Sequence, residues 1–574
     1  MAEPISLHVA DELKQYDDFT RMLLANRGIK TSEEAEKFLN PDYKRDIHDP
    51  FLILNMGRAV ERITAAIEAE EKIVVYGDYD CDGIPGSVVL HDFFKKIGYK
   101  NFSNYIPHRH KEGYGLNNGA IESFSKGGVT LLITVDLAIT NVDEIAYAQS
   151  LGIDVIITDH HLPIRAINGH SGLEEILPPA YVIINSKQTG DTYPDKMLCG
   201  AGVAFKLVQA LLKTKGKEWG VPEGWEKWLL DMAGLSTIAD MVPLVNENRT
   251  IAHFGLKVLR KSPRPGLQKL LRKMRVDQRN ITEDDVAFMI APRINAASRM
   301  DIPLEAFRLL STDNEVLADE LSDHLHKLND NRKEMVISMA AEIKRKMKNR
   351  EIKDVIVIGN PGWRPGLLGI LAGNLVEEYG RPVFVWGKEG GEYLKGSCRS
   401  DGTVNMVELM TAVSEDFFLD VGGHEFSGGF SISYEKIHFL EEELLKAHKK
   451  VKKATALPTG EMIDCSLSLD DVTYKNYRAI EKLSPFGVGN PKPTFLFSGV
   501  EIAEMKKFGK EKNHLELMFK NSHGEKIPAI GFFMGPKDYK MSIEPDAVIN
   551  LIATIELSIF KRTPELRLRI VDII

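Results

Sequence analysis

Cysteine is scarce in this sequence: Cys81, Cys199, Cys398 and Cys465 are the only four in 574 residues, and no two form a Cys-x-x-Cys pair. That usage excludes a disulfide framework and a zinc ribbon, and it fits a reducing cytoplasm. Long apolar runs are also missing, and none approaches the roughly 20 residues that a membrane-spanning helix requires. The opening Met1, Ala2, Glu3, Pro4 lacks the basic-then-apolar pattern of an export signal. A cytoplasmic location with no membrane partner is therefore expected. Positive charge is in short supply too. With a formal net charge of −9 the chain lacks the basic excess of a protein that coats nucleic acid, so any nucleic-acid contact must run along a local track. The length is enough for several hydrophobic cores, and about two to four domains are expected.

Against this background one segment is unusually rich. Asp78, Tyr79, Asp80, Cys81, Asp82, Gly83 places three carboxylates at alternate positions, directly after the apolar run Ile73, Val74, Val75, Tyr76. In extended backbone, residues two apart point the same way, so the three acids are expected to converge at the end of a buried strand. Such a cluster is costly without a cation, and oxygen donors suit magnesium or manganese. An EF-hand calcium loop would need a bidentate Glu at its twelfth position, but counting from Asp78 that residue is Val89. Helix capping alone explains one Asp, not three in alternate register.

Further strand candidates are Leu131 to Val135, Val155 to Ile157 and Val182 to Ile184, alternating with helical patterns as in a parallel α/β sheet. Ligands of open α/β sheets bind beyond the carboxyl ends of the strands. Asp136 follows the first of these runs, and Asp159, His160 and His161 follow the second after Thr158. With Asp240 from the segment Thr237 to Pro243, these residues can supply two metal ions. Two cations about 3.5 to 4 Å apart, bridged by a carboxylate, activate water and neutralise charge on a phosphoryl group. Histidine among the carboxylates favours manganese over calcium.

Residues 314–350 contain neither proline nor glycine and carry Leu317, Leu321, Leu325, Leu328, Val336, Met339 and Ile343 at helical spacing. One continuous helix there would span roughly 55 Å. Two shorter helices with a turn near Asn329 to Asn331 are the alternative. A second α/β unit follows, with strands Val355 to Ile358 and Val383 to Trp386, an intervening glycine-rich turn, and glycine clusters around Arg399 and His424 that let backbone approach a ligand. Beyond the lysine run Lys446 to Lys453, the tail from about Leu457 is strand-rich. Alternation in Glu565 to Ile570, with Arg567 and Arg569 outward, and in His514 to Lys520 points to a small antiparallel barrel of OB type, which binds single strands by stacking and charge.

Asp159, His160 and His161, with Gly77 to Gly83 before them, resemble the DHH phosphoesterase superfamily. The resemblance extends to its RecJ branch of single-strand-specific exonucleases, through Ile106 to Asn117, Cys199 to Lys206, Thr237 to Leu244, Ala291 to Met300, Gly422 to Gly429 and Ser484 to Pro493, in order. The resemblance implies an N-terminal extension over 1–50, a DHH phosphoesterase domain over 51–313, a connecting helix over 314–350, a DHH-associated substrate-binding domain over 351–456 and an OB-fold domain over 457–574. It implies hydrolysis of single-stranded DNA from the 5′ end with two Mn2+ or Mg2+ ions, in repair and recombination, with a single-strand-binding protein and a helicase as partners. Asp80, Asp82, Asp136, His160 and Asp240 match the family's metal ligands, Asp136 as the bridge, while Asp78 and His161 match positions that assist metal or phosphate binding. Arg399 and His424 are the expected phosphate contacts, and Arg109 and Arg293 would hold a terminal phosphate. Four positions depart from the pattern: Ala138 and Ser298 stand where glycine is usual, Pro85 where a Thr is expected, and Arg364 where His is common. Two alternatives stay open. One is a phosphodiesterase for short oligonucleotides or cyclic dinucleotides, which needs no strand-binding barrel. The other is a non-catalytic single-strand-binding component, which loss of the metal ligands would mark.

Overall fold

The computed structural model describes residues 11–168, 172–388, 392–414, 416–451, 463–509, 512–534, 543–558 and 563–574. The first lobe is built on a five-stranded parallel sheet of β1 (Lys72–Gly77), β2 (Phe102–Tyr105), β3 (Val129–Val135), β4 (Asp154–Thr158) and, after a hairpin of β5 (Ile164–Asn168) and β6 (Gly172–Ile176), β7 (Val182–Ile184). Its order is β2-β1-β3-β4-β7, with every neighbouring pair parallel. The apolar runs read from sequence fall inside these strands, because a parallel sheet covered on both faces needs continuous rather than alternating hydrophobicity. Ile73, Val75, Ile133 and Ile156 pack one way, against Phe93, Phe94 and Phe205. Val74, Tyr76, Leu132 and Ile157 pack the other way, against Ile121 and Ile145.

Chain order reverses between β1, which pairs with β2, and β3, which pairs with β1 on the other side. The connections that leave the carboxyl ends of β1 and β3 therefore run to opposite faces of the sheet, and the crevice of an open α/β sheet lies between them. Backbone pairing runs past the strand ends: Asp78 N–H donates to Val135 O at 3.1 Å, Asp136 N–H to Thr158 O at 2.9 Å and Asp159 N–H to Ile184 O at 3.1 Å. The acids at the rim thus sit on backbone as firmly tied as the strands.

One unbroken helix, Glu315–Met347, connects the lobes, and its 33 residues span roughly 50 Å. The two-helix alternative is excluded, since the helix runs straight through Asn329 to Asn331, where Arg332 donates to the buried Asn329 side chain. Asn314 caps the first turn by accepting from Val316 and Leu317 N–H, and Lys344, Arg345 and Lys346 complement the carbonyl end.

The second lobe is a sheet of order β11-β12-β10-β9-β8, formed by β8 (Ile356–Gly359), β9 (Val383–Gly387), β10 (Leu394–Arg399), β11 (Asp420–His424) and β12 (Ser427–Ile432). Only β8 and β9 are parallel, joined through helix Pro365–Tyr379.

The C-terminal unit is the expected small barrel-type sheet, with one correction. Its strands β13 (Cys465–Ser466), β14 (Phe495–Glu501), β15 (Glu504–Phe508), β16 (His514–Lys520), β17 (Lys526–Gly531), β18 (Val548–Ser558) and β19 (Glu565–Ile573) run in the order β13-β14-β18-β19-β17-β16-β15. Two pairings are parallel, β13 with β14 and β17 with β19, so the sheet is mixed rather than wholly antiparallel. Arg569 lies over the Phe532 ring at 4.6 Å, whereas Arg567 is taken up by an ion pair with Glu556 at 2.5 Å. Leu13, Leu23, Leu24, Ile29 and Ala35 from the N-terminal segment complete the core of this unit. Arg27 fixes the contact by donating to Asn490 Oδ1 at 2.8 Å and Pro491 O at 2.7 Å. Of the lysine run, Lys452 and Lys453 lie outside the described residues, as does Leu457, and helix Leu440–His448 ends within it.

Candidate active site

The three alternating acids do not lie on extended backbone. After β1 the chain turns tightly into helix Gly83–Lys96, and Asp82 is already near helical at φ −113°, ψ −55°. The turn sorts the acids. Asp80 folds back so that its Oδ1 accepts from the N–H groups of Asp82 at 2.8 Å and Gly83 at 3.1 Å. Asp82 points across to helix Gly200–Lys215, whose first two N–H groups, on Gly200 and Ala201, donate to its carboxylate at 2.6 and 2.8 Å. A carboxylate at a helix N-terminus meets both free donors and the positive end of the dipole. The turn itself is pinned from outside: Cys81 N–H donates to Asn295 Oδ1 at 2.9 Å, and Ser236 Oγ donates to Cys81 O at 3.1 Å.

The acids and histidines meet in three overlapping groups whose ligand atoms all lie within 4.8 Å of one another: Asp78, Asp80, Asp136; Asp136, His160, His161; and Asp82, His160, Asp240. Asp136 and His160 each belong to two of them. His160 Nε2 stands 3.2 Å from Asp136 Oδ1, 3.6 Å from Asp82 Oδ2 and 3.8 Å from Asp240 Oδ2. Asp240 arrives from the carboxyl end of helix Leu230–Ala239. Asp159, in contrast, turns inward. It accepts from Ile139 N–H at 3.0 Å, from the N–H groups of His160 and His161, and lies 2.8 Å from His161 Nδ1, so it orients the His161 ring.

So many buried acids without a cation repel one another. Burial, then Asp80, pushes the Asp78 carboxyl well up and that of Asp82 to about 6. Burial and Asp82 push Asp240 to about 9 and Asp136 well above the carboxylate range. Burial also acts against the charge on Asp159, but the His161 hydrogen bond prevails and holds it down to about 2. Burial lowers His160 to about 3, while for His161 the Asp159 contact overcomes burial and raises it to about 9. Asp78 Oδ1 and Asp136 Oδ1 are buried with no hydrogen-bond partner among the described residues. An unsatisfied buried carboxylate oxygen is costly. Both residues belong to the close groups of carboxylates and imidazoles, a donor set that fits Mn2+ or Mg2+.

The second lobe closes over this rim. The His424 ring, at the end of β11, stacks on His161 at 5.9 Å with an interplanar angle of 7°. Arg399, at the end of β10, is held by Cys398 O at 2.8 Å and Ser397 Oγ at 3.3 Å. Arg109 lies 5.0 Å over the Tyr79 ring. Between them stands Arg299, which the sequence does not single out. Burial, then the like charges of Arg109, Arg332 and Arg399, pulls its guanidinium down to about 10, with Asp80 acting in the opposite sense. Its Nη1 donates to Gly366 O of the second lobe at 3.2 Å. Arg293 is placed differently: it donates to Met289 O at 2.7 Å and His326 Nδ1 at 3.1 Å, facing the connecting helix. Of the departures from the family pattern, Ala138 is buried at φ +93°, a conformation that favours glycine. Pro85 lies in the first turn of its helix, where proline is tolerated.

The chain matches three family descriptions in order: the DHH family, N-terminal domain, over residues 72–236, the DHHA1 domain over 332–454 and the RecJ OB domain over 463–572. It is 36% identical over 554 residues to the single-stranded-DNA-specific exonuclease RecJ of Bacillus subtilis (strain 168), an alignment covering 96% of this chain and 67% of that one. The chain belongs to the RecJ family. The crystal structure of RecJ in complex with Mn2+ from Thermus thermophilus superposes with a TM-score of 0.79 at 26% identity, covering 97% of this chain and 76% of that one. The same organism's RecJ in complex with Mg2+ shares the fold, with a TM-score of 0.73 at 24% identity over 97% of this chain and 75% of that one. The RecJ relatives thus carry Mn2+ or Mg2+, in keeping with the donor set at the rim of this chain.

Proposed function

We propose that this RecJ-family chain is a 5′ to 3′ exonuclease that hydrolyses single-stranded DNA in repair and recombination. The observation that carries the reading is the set of three overlapping Asp and His groups sharing Asp136 and His160, with the like charges of Arg109, Arg299 and Arg399 close by. Asp80, Asp82, Asp136, His160 and Asp240 would hold two divalent cations, with Asp136 between them and Asp78 in support. Bound there, the cations would supply an activated water and neutralise charge developing on the phosphoryl group.

The chain's own residues do the rest. Asp159 fixes the His161 ring, and the face of that ring carries His424, so a strand entering between the lobes is confined where it meets the acids. Arg399 and His424 bind backbone phosphates, and Arg109 takes the terminal phosphate together with Arg299. Arg293 supports that pocket through the connecting helix. The OB-type sheet guides the strand, with Arg569 and Phe532 on its surface. A single-strand-binding protein and a helicase would present the substrate, in the cytoplasm.

Strands labelled at one end or the other test the polarity. The 5′ label should appear in mononucleotide first, in the presence of Mn2+. Earlier release of the 3′ label would overturn the direction, and preference for di- to tetranucleotides or cyclic dinucleotides over long strands would favour the short-substrate reading.

A further inference from the structure

Away from the cleft, three side chains from separate segments converge beside the connecting helix. Asp301 directly follows helix Ala291–Met300, Glu305 lies in the first turn of helix Leu304–Ser311, and His324 projects from the third turn of helix Glu315–Met347. Their ligand atoms all lie within 4.8 Å of one another, with His324 Nε2 at 3.2 Å from Asp301 Oδ2 and 2.8 Å from Glu305 Oε2. Among the described residues no lysine or arginine pairs with either carboxylate.

At 2.8 Å a protonated imidazole and a carboxylate normally form a strong hydrogen bond. Here neither His324 Nε2 nor Glu305 Oε2 has a hydrogen-bond partner among the described residues, and both atoms are shielded although the side chains are 39% and 26% exposed. The His324 ring and the Glu305 carboxylate are thus close without being aligned as donor and acceptor, an arrangement in which one ion can sit against both. The catalytic rim shows a similar approach, where His160 Nε2 lies 3.2 Å from Asp136 Oδ1 and that oxygen has no hydrogen-bond partner among the described residues. One imidazole and two carboxylates, two of them on helices and one at a helix end, are a donor set for a first-row divalent ion, Zn2+ or Mn2+, with water completing the shell.

We propose that Asp301, Glu305 and His324 form an additional divalent-metal site that staples the connecting helix to the first lobe. It bridges the turn two residues beyond Arg299, so an ion here would fix the origin of the helix on which the second lobe is carried.

The test uses the full chain, stripped with EDTA and equilibrated with Zn2+ as the probe. Wild type, His324→Gln and Glu305→Gln are compared by plasma mass spectrometry after dialysis and by thermal melting. Each variant should carry one equivalent of zinc fewer than wild type and lose part of the zinc-dependent rise in melting temperature, while Mn2+-dependent nuclease activity stays within about twofold. Equal zinc content in wild type and both variants would overturn the site and leave an ion pair. Should one variant misfold by circular dichroism, the other carries the comparison.

Discussion

A single methyl group at position 200 should disable the centre. Gly200 opens the helix whose N–H groups hold Asp82, and a Cβ built on it would stand 2.5 Å from Asp136 Cβ and 2.7 Å from Asp136 Oδ1. Carbon atoms rest roughly 3.5–4.0 Å apart, so in Gly200→Ala the Asp136 side chain has to retreat by about 1 Å. A misplacement of that size at a reacting centre costs about 100-fold in rate, or ~2.7 kcal/mol on the barrier. Overpacking adds a stability loss of about 1–3 kcal/mol. Gly202, two residues along the same helix, is the control: its Cβ would meet Cys199 Sγ at 3.6 Å, an ordinary contact. Initial rates of nucleotide release from single-stranded DNA with Mn2+, at matched folded protein, should fall about 100-fold for Gly200→Ala and less than about threefold for Gly202→Ala. Equal rates for the two variants would refute the placement of Asp136 against this helix.

Other outcomes follow from the same geometry. At Ala138 the left-handed backbone costs an L-residue about 1–2 kcal/mol, so Ala138→Gly should leave the melting temperature unchanged or raised despite the lost methyl and the greater freedom of the unfolded chain; a clear drop would show that the turn is not strained. In metal-free protein Asp240 binds its proton more tightly folded than unfolded, with its value raised from 3.8 to about 9. The folded state therefore holds more protons through this window, and stability in EDTA should fall as pH rises from about 4 to about 9. Saturating Mn2+ should remove that slope; an upward slope in EDTA would contradict it. His424→Ala, which removes the stack on His161, should lower kcat/KM by about threefold to tenfold on the scale of an aromatic pair. An unchanged value would mean that the second lobe does not act through this contact.

The sheet and its rim are legible in the sequence because the chain announces them locally. Runs such as Leu131 to Val135 end in acids, and in a parallel sheet every such end lies on one side. The division of labour among the three alternating acids is not legible, since extended spacing puts them on one face whereas the turn sends Asp82 to another helix. Spacing groups Asp159 with the open cluster, but its inward role depends on Ile139 N–H, 20 residues away in sequence. Arg299 carries no periodic signal, and its position emerges only where two lobes meet. The same holds for the N-terminal segment, whose Asn26 donates to Asp464 O across 438 residues of chain. Long-range closure of this kind has no local trace, because each contact is decided by a partner distant in sequence.

The centre itself is tested most directly by comparing the full chain with Asp136→Ala on single-stranded DNA, with Mn2+ and with EDTA. Asp136 belongs to two of the three ligand groups, so its loss should abolish hydrolysis and reduce the bound Mn2+ while the protein stays folded. Undiminished, metal-dependent degradation by Asp136→Ala would contradict hydrolysis at this rim.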